Sequence, residues 1–255
     1  KQKLGMEIKN LKKAAKRILK AIEKKENIIL YGDADLDGAA SVIILKESIK
    51  SLGGEIAAIY FPDRETEGYG ITETGLDFLS KNIRSSAKFR EAERRLKKRT
   101  QFSLPPPFAA ARVRKEAPAL LIAVDCGIGN VKEVEMAKKL GFSVLIVDHH
   151  EVLDRVPKAD IIVDPKQKGD KYDFKGLAAA GVVFKLAESL FGEKMAENLR
   201  KNFLELVALA TLADMMSKES ENGIFISEGL RSLENSWRPG LKAFFRTDFL
   251  NEFSG

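Results

Sequence analysis

Three short apolar runs each end in acidic or imidazole side chains, and this recurrence constrains the fold more tightly than any compositional figure. Ile28-Ile29-Leu30-Tyr31 runs into Gly32-Asp33-Ala34-Asp35-Leu36-Asp37-Gly38, Leu120-Leu121-Ile122-Ala123-Val124 into Asp125, and Val144-Leu145-Ile146-Val147 into Asp148-His149-His150. Runs this short and this apolar read as strands covered on both faces, as in a parallel sheet. The carboxyl ends of such strands share one edge, where ligands bind, so residues distant in sequence converge there. The pattern predicts carboxylates and imidazoles gathered at one rim of an α/β sheet.

The rest of the chain supports that layout. Apolar spacing at Leu4, Ile8, Leu11, Ala15, Ile18, Leu19 and Ile22 predicts an amphipathic helix ahead of a strand over 27–31. A helix over 38–52, ended by Gly53-Gly54, and a strand over 55–61 complete a βαβ unit. Helix 72–81, strand 119–124, helix 130–140 and strands 142–147 and 160–163 continue an alternation that predicts a parallel sheet flanked by helices. Beyond Gly176 the texture becomes helical, over 177–191, 196–213, 223–235 and 240–247. The expected organisation is an α/β domain over 1–215, interrupted by a basic insertion at about 84–117, and a helical extension over 216–255. Pro105-Pro106-Pro107 breaks any helix inside the insertion.

With 44% hydrophobic residues among 255, the chain can bury a full core. A single cysteine, Cys126, excludes an internal disulfide framework, and no apolar run reaches the roughly 18 residues of a membrane span. The cytoplasm is the expected location, with no membrane contact. A start other than Met and an end without a helix stop suggest part of a longer protein. The formal charge of +6 is unevenly spread. Residues 81–115 hold twelve Lys/Arg against two Asp/Glu, while the remainder is net acidic, 31 against 35. The basic stretch reads either as a footprint for a polyanion or as a solvated helix face. Phe102 and Phe108 within it offer base stacking or packing onto the body.

Asp35 and Asp37 at a strand-to-helix turn can face one pocket, and Gly38 frees that turn. Asp125 and the Asp148-His149-His150 run close two further strands, and Asp214 follows the apolar Ala210-Thr211-Leu212-Ala213, where a lone carboxylate is costly without a partner. Four carboxylates and one imidazole in one pocket require compensating positive charge. Two divalent ions bridged by one Asp would supply it, and oxygen ligands with a single nitrogen favour Mn²⁺ or Mg²⁺ over zinc. Two such ions polarise a phosphoryl oxygen, acidify a water and steady a leaving oxygen, so phosphoester hydrolysis is the expected reaction.

The same residues carry a resemblance. Tyr31-Gly32-Asp33-Ala34-Asp35-Leu36-Asp37-Gly38, Val124-Asp125-Cys126-Gly127-Ile128, Asp148-His149-His150-Glu151 and Ala210-Thr211-Leu212-Ala213-Asp214 resemble the four ordered motifs of the DHH phosphoesterase superfamily, and within it the RecJ-type single-strand-specific exonucleases. The resemblance implies that Asp35 and Asp37 each bind a different metal, that Asp125 bridges them, and that His149 and Asp214 complete one ion's sphere. It places His150 toward the scissile phosphate, with Asp125 and His150 as the catalytic pair, and gives Asp33 and Asp148 an outer, orienting role. Tyr31 stands where other DHH branches have histidine, which favours the RecJ branch. Arg64, in Pro62-Asp63-Arg64, either meets substrate phosphate or pairs with Glu67.

The resemblance sets this DHH catalytic domain within a longer parent enzyme, with 216–255 leading toward a second domain that clamps the strand, so activity is expected of the parent and not of this piece alone. The implied function is 5′→3′ hydrolysis of single-stranded DNA to 5′-mononucleotides in DNA repair and recombination, with a single-strand-binding protein as a candidate partner. Two rivals differ in class. One is a small-substrate phosphohydrolase of the same superfamily, acting on oligonucleotides, cyclic dinucleotides or pyrophosphate. The other is a catalytically silent DNA-binding scaffold, which the filled ligand positions oppose. For isolated residues the plainer readings are a helix cap for Asp33 and a small buried filler for Cys126.

Overall fold

A computed structural model describes residues 7–84, 118–233 and 235–244. The basic insertion, with Phe102 and Phe108, and the end of the last expected helix lie outside the described residues. The elements in chain order are α1 (Leu11–Glu23), β1 (Asn27–Gly32), α2 (Leu36–Ser51), β2 (Ile56–Tyr60), α3 (Glu73–Arg84), β3 (Ala119–Val124), α4 (Val131–Lys139), β4 (Phe142–Val147), β5 (Ile161–Val163), α5 (Ala179–Phe191), a 3₁₀ turn (Gly192–Lys194), α6 (Glu197–Ala213), α7 (Ser220–Leu233) and α8 (Pro239–Phe244). The five strands form one sheet in the order β2-β1-β3-β4-β5. Every neighbouring pair is parallel.

This order creates a switch point. The chain leaves β1 toward β2 on one side, then returns to place β3 on the other. Right-handed crossovers moving in opposite directions put their helices on opposite faces. The two buried clusters record that division. Ile28, Leu30, Leu120, Ile122 and Val124 pack with residues of α1, α2, α5 and α6. Ile29, Tyr31, Leu121, Ala123, Val144 and Ile146 pack with Leu76 and Leu79 of α3 and Val134 and Ala137 of α4. Alternating residues of one strand thus enter different cores, which explains why the strand sequences show no polar face. Cys126 lies in the second cluster as a buried small side chain. Between β1 and β3 the loops diverge to opposite faces and leave a crevice at the carboxyl ends, the usual place for a ligand in such sheets.

The C-terminal helices are tied to the body. Phe225 of α7 meets the Phe184 ring of α5 edge-on at a centroid separation of 5.3 Å. Arg238, just before α8, grips Glu47 of α2 through two hydrogen bonds of 2.8 and 2.7 Å. Glu205 of α6, 1% exposed, accepts the hydroxyls of Ser232 and Ser236, so its burial is matched by donors. Among the described residues no helix is long and apolar enough to cross a membrane.

Close approach of α6 and α7 depends on Gly229, where an added Cβ would lie 2.2 Å from the Leu204 carbonyl oxygen and 2.6 Å from Ala208 Cβ. Overpacking against a backbone atom costs about 1–3 kcal/mol. Better helix propensity of alanine returns roughly 1 kcal/mol. Gly229→Ala is expected to lower the urea midpoint with little change in the slope of the transition, whereas an unchanged or raised midpoint would show that the helices separate at no cost.

Candidate metal centre

All the site residues expected from sequence lie at the carboxyl rim of the sheet. Asp35 is the N-cap of α2, extended at φ −137° and ψ −169°, and its side chain accepts the Gly38 N–H at 2.9 Å. Gly38 admits no side chain, because a Cβ would sit 2.2 Å from the Asp33 carbonyl oxygen. This contact curls the loop tightly enough to return Asp33 beside Asp35. Asp37, in the first turn of α2, is turned the other way and is 2% exposed. Its two oxygens accept the N–H groups of Ala179 and Ala180 at 2.7 Å each. Helix α5 has no side-chain cap of its own, so Asp37 caps it from 142 residues away, with favourable charge at the helix N-terminus.

Asp125 follows β3 at φ 60°, a left-handed conformation that Asp tolerates better than most residues, and its N–H is held by the Val147 carbonyl at 3.0 Å. Asp148 is fully buried at the end of β4. It accepts N–H groups of Ile128 at 3.0 Å and His149 at 2.8 Å, and the His150 ring Nδ1 at 2.7 Å. His149 Nδ1 lies 3.1 Å from the Leu177 carbonyl, which can only accept, so Nδ1 carries a proton and Nε2 is the ring nitrogen left to take a cation.

That nitrogen faces acids. Nε2 lies 3.3 Å from Asp125, 3.7 Å from Asp214 and 3.8 Å from Asp37, and it is buried with no hydrogen-bond partner among the described residues. A buried ring nitrogen pointed at carboxylates is satisfied only by a proton shared with one of them or by a cation standing between them. Potential ligand atoms within 4.8 Å of one another form three overlapping groups: Asp37, His149 and Asp214; Asp33, Asp35 and Asp125; and Asp125, His149 and His150. Asp125 is common to two of them. The donor set fits a pair of hard divalent cations.

Electrostatics agree. Burial, and after it the charges of Asp37 and Asp35, push the Asp125 carboxyl far above its ordinary range. Burial also raises Asp37, against the pull of His149 and the α5 N–H groups. Asp148 is held low because its hydrogen bonds outweigh burial, and the hydrogen bond to Asp148 in turn raises His150. Burial lifts Asp35 too, but the Gly38 N–H and Arg64 bring it below its usual value.

Three placements depart from the expected roles. Asp33, expected to orient other ligands from outside, stands with Asp35 and Asp125 in a group able to bind directly. Arg64 does not pair with Glu67: its Nη2 donates to Asp33 at 2.8 Å and Asp35 at 2.7 Å. Asp164, which the sequence reading gives no role, closes β5 at the same rim, fully buried with Oδ2 unpartnered among the described residues and its carboxyl pushed up by burial to about 7. Its position after a short apolar strand is the signal that could have found it. The Leu177 carbonyl and the α5 N–H groups are backbone, with no sequence signature.

A model of the DHH family, N-terminal domain, matches residues 27–211. The chain belongs to that family. It is 37% identical over 240 residues to the single-stranded-DNA-specific exonuclease RecJ of Bacillus subtilis (strain 168), covering 94% of this chain and 25% of that protein. A crystal structure of exonuclease RecJ bound to manganese matches with a TM-score of 0.69 at 24% identity, covering 93% of this chain and 51% of the other. RecJ from Thermus thermophilus in complex with Mn²⁺ matches with a TM-score of 0.65 at 22% identity, over 93% and 29%. The chain therefore spans between a quarter and about half of these relatives.

Ionised Asp125 opposes folding of the metal-free protein, because its carboxyl is raised above the ordinary 3.8; the cost is absent below that value and grows as pH rises. In EDTA at neutral pH, Asp125→Asn is expected to melt several degrees above wild type, with the gap closing toward acid. Mn²⁺ should raise the wild-type Tm and leave the variant nearly unmoved. A variant that melts lower in EDTA, or gains equally from Mn²⁺, contradicts this account.

Proposed function

We propose that this chain is the catalytic part of a metal-dependent phosphodiesterase that degrades single-stranded DNA from the 5′ end to 5′-mononucleotides, in DNA repair and recombination. The orphaned, buried Nε2 of His149, aimed at Asp37, Asp125 and Asp214, carries the reading. Asp37, His149 and Asp214 would hold one Mn²⁺ or Mg²⁺, Asp33 and Asp35 the other, and Asp125 both. When bound, such a pair polarises the phosphoryl group, acidifies the attacking water and neutralises charge on the leaving oxygen. His150, kept cationic by Asp148 and half exposed at the mouth, is placed to bind a phosphate oxygen as charge builds there. Asp148 orients that ring and keeps its Nδ1 proton in place.

The RecJ relatives, named as single-stranded-DNA-specific exonucleases, support the substrate class, and the manganese-bound RecJ structures support the ion; the 5′ polarity rests on the resemblance of the four motifs. Arg64 would leave Asp33 and Asp35 to take substrate phosphate. A cytoplasmic setting, a single-strand-binding partner and a following domain that clamps the strand, reached through 216–255, belong to the same reading, with 1–215 as the DHH domain.

Incubation of the complete parent protein with 5′- and 3′-labelled single-stranded DNA, duplex DNA and RNA in Mn²⁺ tests it. Release of 5′-mononucleotides from single strands is expected, with Asp125→Ala slower by roughly a hundredfold or more. Equal cleavage of duplex, digestion only from the 3′ end, or full activity in the variant would refute the proposal.

A further inference from the structure

The loop after β2 carries Arg64 to the metal centre, and one side chain organises it. Glu67 accepts the Tyr60 hydroxyl at 2.8 Å, the Thr72 hydroxyl at 2.8 Å and the Asp63 N–H at 3.2 Å. The Glu67 N–H donates back to the Asp63 carbonyl at 2.7 Å, closing the turn around Arg64. Proton direction along this chain is determined. With the Thr72 proton given to Glu67, Tyr31, 3.2 Å away, must donate to Thr72 Oγ1, while Tyr31 accepts the Thr72 N–H at 3.1 Å. Tyr31 is wholly buried, so its hydroxyl serves this relay. Every donor is matched only if Glu67 is an acceptor at both oxygens.

Arg64 is the product of that arrangement. Its Nη2 lies between Asp33 Oδ2 and Asp35 Oδ2, and its guanidinium carbon stands 5.0 Å from the exposed Tyr69 ring. These two acids, with Asp125, form one of the groups able to hold a cation. A guanidinium and a cation on the same oxygens repel and compete, so the hold on Arg64 bears on metal affinity. We infer that Glu67 is a positioning residue that sets Arg64 across Asp33 and Asp35 and thereby weakens the Asp33–Asp35–Asp125 pocket for its cation until Arg64 is drawn away. The inference rests on the metal-centre reading and adds a residue that this reading leaves unused.

Hydrogen–deuterium exchange of the metal-free protein gives a direct measure. Glu67→Gln, which turns an amide N–H₂ toward donors, is expected to speed exchange in peptides spanning 61–72 at least severalfold while β3 and β4 stay protected. Thr72→Val should do the same and Thr72→Ser should not, which keeps the test alive if Glu67→Gln folds poorly. Calorimetric titration with Mn²⁺ then reads the consequence. Arg64→Ala should tighten the weaker site by up to about fivefold, the scale of a partly exposed ion pair. Glu67→Gln should give part of that gain and add nothing in the Arg64→Ala background. Unchanged exchange over 61–72, or additive effects of the two substitutions, overturns the inference. Wild-type protein that takes up no Mn²⁺ would instead reject the metal centre, and the exchange comparison alone would decide whether Glu67 holds the loop.

Discussion

Negative charge concentrated in a buried rim is the constraint around which this molecule is built. Asp37, Asp125 and Asp148 are each almost wholly buried, and Asp33 nearly so, in a space that also holds Asp35 and Asp214. Isolated carboxylates in such surroundings would protonate or unfold the rim. The structure answers each differently: backbone N–H groups of α5 for Asp37, a ring and two loop N–H groups for Asp148, a guanidinium for Asp33 and Asp35. Asp125 receives no such donor in proportion to its burial, and His149 Nε2 receives none among the described residues. What is left uncompensated defines the centre.

The same partition separates support from chemistry. Asp148 spends its lone pairs on protein donors and so positions His150, whereas Asp125 leaves its own open to a cation. Asp37 does both, since a carboxylate has about four lone-pair directions and the α5 N–H groups take two. Anchoring Asp37 on a helix N-terminus also links the metal centre to the packing of α5 against α2, so the ligand geometry is borne by the core rather than by a loop.

Much of this was legible from residues alone. Each apolar run that stopped at an acid or histidine marked a strand end, because strand termini of a parallel sheet share one edge. Strand and helix limits were met to within a few residues among the described residues, apart from the start of α1, which begins at Leu11 and not at Leu4 because the left-handed Asn10, at φ 66°, stands immediately before it. Asp33 and Arg64 were harder. Nothing in their spacing says that Gly38 lets the loop close back on the Asp33 carbonyl, or that the β2 loop reaches over β1. Asp164 carried the same signal as the others in weaker form, on a strand of only three residues.

Sequence by itself determined the sheet, the rim and the kinds of side chain that meet there, since periodicity and strand ends are local properties of the chain. Tertiary structure decided which acid faces which neighbour. Asp37 against α5, His149 on the Leu177 carbonyl and Arg64 across Asp33 and Asp35 are contacts between segments up to 143 residues apart, several made through backbone groups that every residue carries. Such contacts follow from how the layers pack, and no local pattern encodes them.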